Sequence, residues 1–161
     1  MDKAVDLLCQ ADRVYLLGRR SSAAACAWFQ LNASTIRGNV STIQELNDLI
    51  DITTNSVALI VAYHPYAKDT LMMGRHLKDN GCQLICLTDT FLSPLTELAD
   101  VVLVTGSAKS EQSFCNAITG PVAVMNVLLI GMARKLPDAM GRMQRSRTIR
   151  ERFNAVPESE E

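Results

Sequence analysis

Two short polar runs in this 161-residue sequence carry residue types that could hold an anion. The first is Gly18-Arg19-Arg20-Ser21-Ser22, directly after the apolar run Val14-Tyr15-Leu16-Leu17. The second is His64-Pro65-Tyr66-Ala67-Lys68, directly after Val57-Ala58-Leu59-Ile60-Val61-Ala62-Tyr63. Guanidinium forks suit phosphate or carboxylate, seryl hydroxyls donate hydrogen bonds, and a glycine lets the backbone turn closely under a ligand. Each run leads into a helical pattern, and the free N–H groups of a helix start favour negative charge. Together the pair predicts one ligand site, for a group bearing a phosphate. Read alone, the first loop admits a second reading, in which Ser21 only caps the helix and both arginines face solvent. Lys68 equally fits a solvated surface position.

The elements around these loops read as alternating strand and helix, the pattern of a parallel α/β sheet. A short amphipathic helix is expected over residues 2–11, with strands at 13–17, 39–43, 57–63, 82–88 and 101–104. Helices are expected over 22–35 and 66–80, the second stopping at Asn80-Gly81, and helical spacing recurs at Leu46, Leu49 and Ile50. Ser93-Pro94 has the residue types of an N-cap and first helical position, so a short helix is expected there. Near-continuous apolar strands imply a sheet covered on both faces. Five strands with right-handed crossovers give a flavodoxin-like order 2-1-3-4-5, with the two polar loops on the strands that flank its switch point.

Composition narrows the class. The chain is 48% hydrophobic and 20% charged, with a formal net charge of -1, which speaks against a nucleic-acid grip spread over the surface. Aromatic residues make up 5%, too few for a single-strand stacking platform. Cys9, Cys26, Cys82, Cys86 and Cys115 form no CxxC pair and no metal spacing, so free thiols in a reducing cytoplasm are expected. No metal and no cofactor is expected. The apolar stretch from Val122 to Met132 falls short of the roughly 20 residues that span a bilayer, so no membrane association is expected. The helix that Gly120-Pro121 starts is apolar almost all round to Leu136 and needs cover on every side, which points to a homodimer or a tetramer, or to a helix deep in the monomer core. Residues 138–161 form a tail with Arg142, Arg145, Arg147, Arg150 and Arg152, expected to be partly helical or disordered.

At this point the chain resembles a known group. Val14-Tyr15-Leu16-Leu17-Gly18 with Ser21-Ser22, the second loop over 62–70, and Leu87-Thr88-Asp89…Ser93-Pro94-Leu95…Ala99-Asp100-Val101-Val102 are similar to the sugar isomerase (SIS) domain, in particular to the ligand-sensing domain of RpiR-type bacterial transcription regulators. The resemblance covers roughly residues 5–137, so one such domain is expected over 1–137. It implies a sugar-phosphate ligand, held by hydroxyls of the first loop and of a Ser-x-Ser-Gly-x-Thr second loop. Ser21 and Ser22 match the first set. Ala62, His64, Pro65 and Ala67 stand at the Ser, Ser, Gly and Thr places of the second, and Gly18-Arg19-Arg20 replaces Gly-x-Gly. Lost hydroxyl bonds are worth about 0.5–1.5 kcal/mol each. Charge from Arg19, Arg20, Lys68 and a protonated His64 could replace them, or the pocket is re-tuned for a non-phosphorylated polyol or a sugar acid. The chain also resembles a regulator subgroup with Arg-Arg and Pro-Tyr at these places.

The resemblance points to a sensor that does no chemistry. On this reading Gly18, Arg19, Arg20, Ser21, Ser22, His64, Tyr66 and Lys68 bind the ligand and no residue is catalytic. The alternative is a small aldose–ketose isomerase, for which Glu111 and His64 are the candidate bases. Only about a dozen residues precede the first strand, which leaves no room for a helix-turn-helix. Contact with DNA is therefore expected only through a separate domain.

Overall fold

The computed structural model describes residues 1–106 and 118–153. Glu111 and Cys115 lie outside the described residues. Helix α1 (Asp2–Gln10) leads into strand β1 (Arg13–Gly18), α2 (Ser21–Ala33) and the three-residue β2 (Val40–Thr42). A 3-10 turn at Leu46–Leu49 precedes β3 (Ser56–Ala62), α3 (Lys68–Asp79), β4 (Gln83–Thr88) and β5 (Val101–Val104). Helices α4 (Thr119–Lys135) and α5 (Ala139–Arg152) follow. The strands form one parallel sheet in the order β2-β1-β3-β4-β5, the order expected from the crossover rule.

Alternation along the strands sorts the core into two layers. Val14, Leu16, Val57, Leu59, Val61, Ile85 and Leu87 face α1, α2 and α4, where Leu8, Phe29, Met125 and Leu128 complete a closed layer. Tyr15, Leu17, Ala58, Ile60, Leu84 and Cys86 face the other way, onto Leu49 of the 3-10 turn and Met73 and Leu77 of α3. Cys82 joins the second layer beside Cys86, so the two share a face as free thiols. Burying each large aliphatic or aromatic side chain in these layers contributes about 1.5–3 kcal/mol. The sheet is therefore covered on both faces, by α1, α2 and α4 on one and by the 3-10 turn and α3 on the other.

Arg37 is a buried cation that periodicity does not reveal. Its guanidinium donates to the carbonyls of Leu8 and Ala11 at the end of α1 and to that of Gly38. These are acceptors that a helix C-terminus leaves unsatisfied, so Arg37 closes α1 onto the turn after α2.

One expected element is corrected. Residues 91–98 form consecutive turns, with Thr96 N–H donating to Ser93 O and Leu98 N–H to Leu95 O, and no helix starts at Ser93-Pro94. The segment has only a few residues before Asp100 N–H must reach Leu84 O to set β5 beside β4, too short a span for a regular helix. Helix α3 starts at Lys68 rather than 66, because Ala67 is still extended (φ -69°, ψ 130°). Helix α4 buries Pro121, Met125, Leu128 and Met132 but leaves Val127 and Ile130 half-exposed on its outer side. Helix α5 runs unbroken to Arg152 with Ala139 as its one buried residue. Among the described residues no helix is long and apolar enough to cross a membrane.

Candidate functional site

Strands β1 and β3 end together, because the register pairs Gly18 with Val61 and Arg13 with Ser56. The chain leaves β1 through Arg19 and Arg20 and enters α2 at once. Gly18 is required for that turn: a Cβ there would lie 2.7 Å from Ser22 O and 2.8 Å from Cys26 Sγ. Arg20 sits at φ 56°, ψ -128°, a backbone conformation that favours glycine and costs a side-chain-bearing residue about 1–3 kcal/mol. Strain of this kind clusters at ligand clamps.

A narrow cleft opens between the two strand ends. Arg19, Arg20, Ser21 and Ser22 line one side, Tyr63, Pro65, Ala67 and Thr70 the other, and Val61 and Ala62 the floor. Its volume is about 40 Å³, far below the roughly 300–1,000 Å³ of a pocket that swallows a drug-sized ligand. It suits one compact polar end of a ligand.

The start of α2 faces this cleft with unspent donors. Arg20 occupies the N-cap and makes no side-chain capping bond. Ser22 N–H and Ala23 N–H bend back to the carbonyls of Arg19 and Arg20, and the N–H groups of Arg20 and Ser21 have no backbone acceptor among the described residues. Ser21 is the first helical residue and does not cap α2, so the capping-only reading of the first loop does not describe this turn. Ala67 likewise leaves α3 without a side-chain cap.

The two arginines differ in place. Arg19 is tied down: Nε donates to Asp69 Oδ2 at 2.9 Å, one Nη to Gln44 O at 3.1 Å, and the other contacts Met73 Sδ at 3.4 Å. Arg20 is exposed at the rim of the same cleft, with its guanidinium in no ion pair among the described residues.

The second loop divides. Tyr66 turns its hydroxyl to Asp89 Oδ1 at 2.7 Å, at the end of β4, and His64 N–H reaches Asp89 Oδ2 at 3.3 Å. The exposed His64 ring stands edge-on to Tyr66, with centroids 6.0 Å apart. Burial opposes charge on Asp89, but the Tyr66 hydroxyl, the His64 N–H and the Thr88 hydroxyl outweigh it and hold the carboxyl below the usual range. Tyr63 points toward β5 and bonds the Thr105 hydroxyl, and burial pushes its phenol up to about 12. Lys68 is exposed at the first position of α3 and does not line the cleft.

The structure thus gathers Arg19, Arg20, Ser21 and Ser22 around one cleft with Gly18 beneath them. It sets His64, Tyr66 and Lys68 outside the lining, beside Asp89 and on the first turn of α3. Thr70, which the sequence reading passed over, is in the lining. The available signal was a threonine one turn beyond the strand–loop–helix junction. A larger cavity of about 540 Å³ lies between the 3-10 turn and α3, lined by Leu46, Leu49, Ile50, Met72 and Met73. Only His76 and Asn80 bring polar side chains to its lining, too few convergent donors to orient a charged ligand. Among the described residues no group of His, Cys, Asp or Glu is placed to hold a metal ion.

The family model described as the SIS domain matches residues 7–131. The chain belongs to the SIS domain family. Over 120 residues this SIS domain is 29% identical to an uncharacterized HTH-type transcriptional regulator of Haemophilus influenzae, covering 69% of the chain and 40% of that relative. The chain therefore spans less than half the length of that regulator. Among solved structures, the sugar isomerase domain of an RpiR transcription factor from Sphaerobacter thermophilus superposes with a TM-score of 0.83 at 24% identity, covering 91% of this chain and 84% of that one. The Vibrio vulnificus NanR protein complexed with ManNAc-6P superposes with a TM-score of 0.82 at 13% identity, covering 94% and 60%. Both likenesses cover more than nine-tenths of the chain and establish the fold of this SIS domain.

Proposed function

We propose that this SIS domain is the ligand-sensing part of a bacterial transcription regulator. It binds the phosphate end of a sugar phosphate in the β1/β3 cleft and does no chemistry on it. The observation that carries this reading is the start of α2 at the cleft: free N–H groups, two seryl hydroxyls and the strained, exposed Arg20 face one small polar space. Such a space matches a compact dianion better than a whole neutral sugar. The relatives support the same reading, since one is an HTH-type regulator and another was solved with ManNAc-6P.

Ligand binding would shift the geometry of a homodimer, and a separate helix-turn-helix domain would read that shift on DNA in the cytoplasm. The outer side of α4, where Val127 and Ile130 are 50% and 55% exposed, is the surface we assign to the second copy.

The test is a thermal-shift and calorimetric panel of sugar 6-phosphates, N-acetylmannosamine 6-phosphate included, against the matching unphosphorylated sugars, polyols and sugar acids. The expected result is saturable binding of at least one sugar phosphate, with its unphosphorylated parent much weaker. Equal binding of phosphorylated and plain sugars would overturn the phosphate assignment. Turnover of a bound sugar phosphate, abolished by Glu111→Gln, would replace the sensor with an isomerase.

A further inference from the structure

The hydroxyls that the second loop lacks have a counterpart deeper in the same cleft. Thr70, the third residue of α3, is 2% exposed and still lines the cleft. Ser22, the second residue of α2, is 8% exposed and lines it from the other side. Neither hydroxyl has a hydrogen-bond partner among the described residues.

Both oxygens stay open to solvent at the cleft, unlike Ser93 Oγ, which is enclosed without a partner among the described residues. Thr88 and Ser56, equally buried, spend theirs on Asp89 Oδ1 and on Thr53. A threonine inside a helix can bond back to the carbonyl four residues earlier. For Thr70 that residue is Tyr66, which lies before the helix starts, and the Ala67 carbonyl accepts from Leu71 N–H instead. The Thr70 N–H is likewise spent, on Asp69 Oδ1 at 2.8 Å. One group of Thr70 is left over, the hydroxyl, and Ala67 has no side-chain bulk to screen it from the cleft.

We infer that Thr70 is a ligand-binding residue. Its hydroxyl and that of Ser22 donate from opposite walls to the anionic oxygens of the ligand. This moves the second-side hydroxyl one helical turn into α3 and rests on the reading of the cleft as a sugar-phosphate site. It also identifies the ligand end as a group with several acceptor oxygens, since two donors approach it from two helices while Arg20 closes the rim.

The experiment titrates the full chain and its variants with inorganic phosphate and with the panel sugar phosphate that wild type binds most tightly. Thr70→Val keeps the shape and removes the hydroxyl; Thr70→Ser keeps the hydroxyl. The expected result is about a tenfold loss of affinity for both anions in Thr70→Val, the loss of one hydrogen bond to a charged acceptor, with Thr70→Ser within twofold of wild type. The Thr70 methyl of wild-type protein, labelled for NMR, is expected to shift on titration, a readout that survives even if Thr70→Val does not fold. A Thr70→Val affinity within twofold of wild type, or a methyl that does not move at saturation, overturns the inference. If Ser22→Ala still weakens binding in that case, the sugar-phosphate reading stands without Thr70. Wild-type protein that binds neither anion removes both.

Discussion

Arg19 reaches Asp69 on the first turn of α3, with Nε 2.9 Å from Oδ2, and thereby ties the β1 loop to the start of α3 beside the cleft. The neighbouring arginine makes no such pair among the described residues, although the two are adjacent in sequence and both line the cleft. Local charge follows from this. Asp69 offsets Arg19, and Arg20 is the guanidinium whose charge remains available to a ligand.

The two substitutions should therefore separate. Arg19→Gln breaks a half-exposed ion pair and the bond to the Gln44 carbonyl, and is expected to lower stability by about 0.5–1.5 kcal/mol. Its effect on the preference for phosphorylated over plain sugar should be small. Arg20→Gln is expected to leave the urea midpoint nearly unchanged and to lower sugar-phosphate affinity about tenfold or more. Calorimetry on both variants checks this; equal losses of affinity would show that the Asp69 pairing does not set the division.

Replacing Arg20 with glycine probes strain directly. At φ 56° a glycine carries no Cβ penalty, so Arg20→Gly is expected to stabilise the fold by about 1 kcal/mol while weakening sugar-phosphate binding. Denaturant melts and titrations on the same preparation measure both effects. A variant less stable than wild type would mean that this backbone geometry is not costly here.

Gly18 is constrained from the other side. The 2.7 Å and 2.8 Å approaches to Ser22 O and Cys26 Sγ leave no room for a methyl, and Ser22 O belongs to helix backbone that cannot swing aside. Gly18→Ala is expected to cost about 1–3 kcal/mol, as overpacking does, and to push the start of α2 away from β3, lowering ligand affinity as well. A melt and a titration settle it: an alanine variant with wild-type stability would show that α2 can slide outward freely.

How much of this was legible beforehand depends on whether local pattern or tertiary contact decides each feature. The sheet order and the adjacency of the two polar loops were legible because β1 and β3 are unbroken apolar runs, each ending in a polar turn, and right-handed crossovers leave few ways to arrange them. Arg20 and Ser22 were legible as residue types at a helix start. The split between Arg19 and Arg20 was not, since it depends on Asp69 arriving from 50 residues away. Tyr66 turning to Asp89 rather than to the cleft is a partnership of the same kind, made across 23 residues. Thr70 was passed over as a lining residue because the hydroxyls that the resemblance implies lie in the loop, whereas the cleft is lined by the first turn of the helix as well. The turns at 91–98 were missed because Ser-Pro is a local signal that the short reach to β5 overrides.

Two carboxylates at the strand ends give the last prediction, on acid stability. Burial opposes charge on Asp100, but Lys78, 2.8 Å from both carboxylate oxygens, and the Leu84 N–H, 2.8 Å from Oδ2, hold it below the usual range. Asp89 is lowered in the same sense by Tyr66, His64 N–H and Thr88 against its own burial. A carboxyl whose pKa is depressed on folding stabilises the folded state fully above its unfolded value of about 3.9 and loses that contribution as pH falls through the folded value. Urea midpoints should therefore be flat from neutral pH to about 5 and fall increasingly below about 4. Asp100→Asn should be less stable at neutral pH, because the asparagine amide cannot accept from Lys78 at both positions, and its midpoint should fall less steeply in acid. If the Asp100→Asn and Asp89→Asn profiles run parallel to wild type down to pH 3, acid sensitivity arises elsewhere. If only Asp100→Asn flattens the profile, the Lys78 contact that fastens α3 to the β4–β5 edge is what acid releases first.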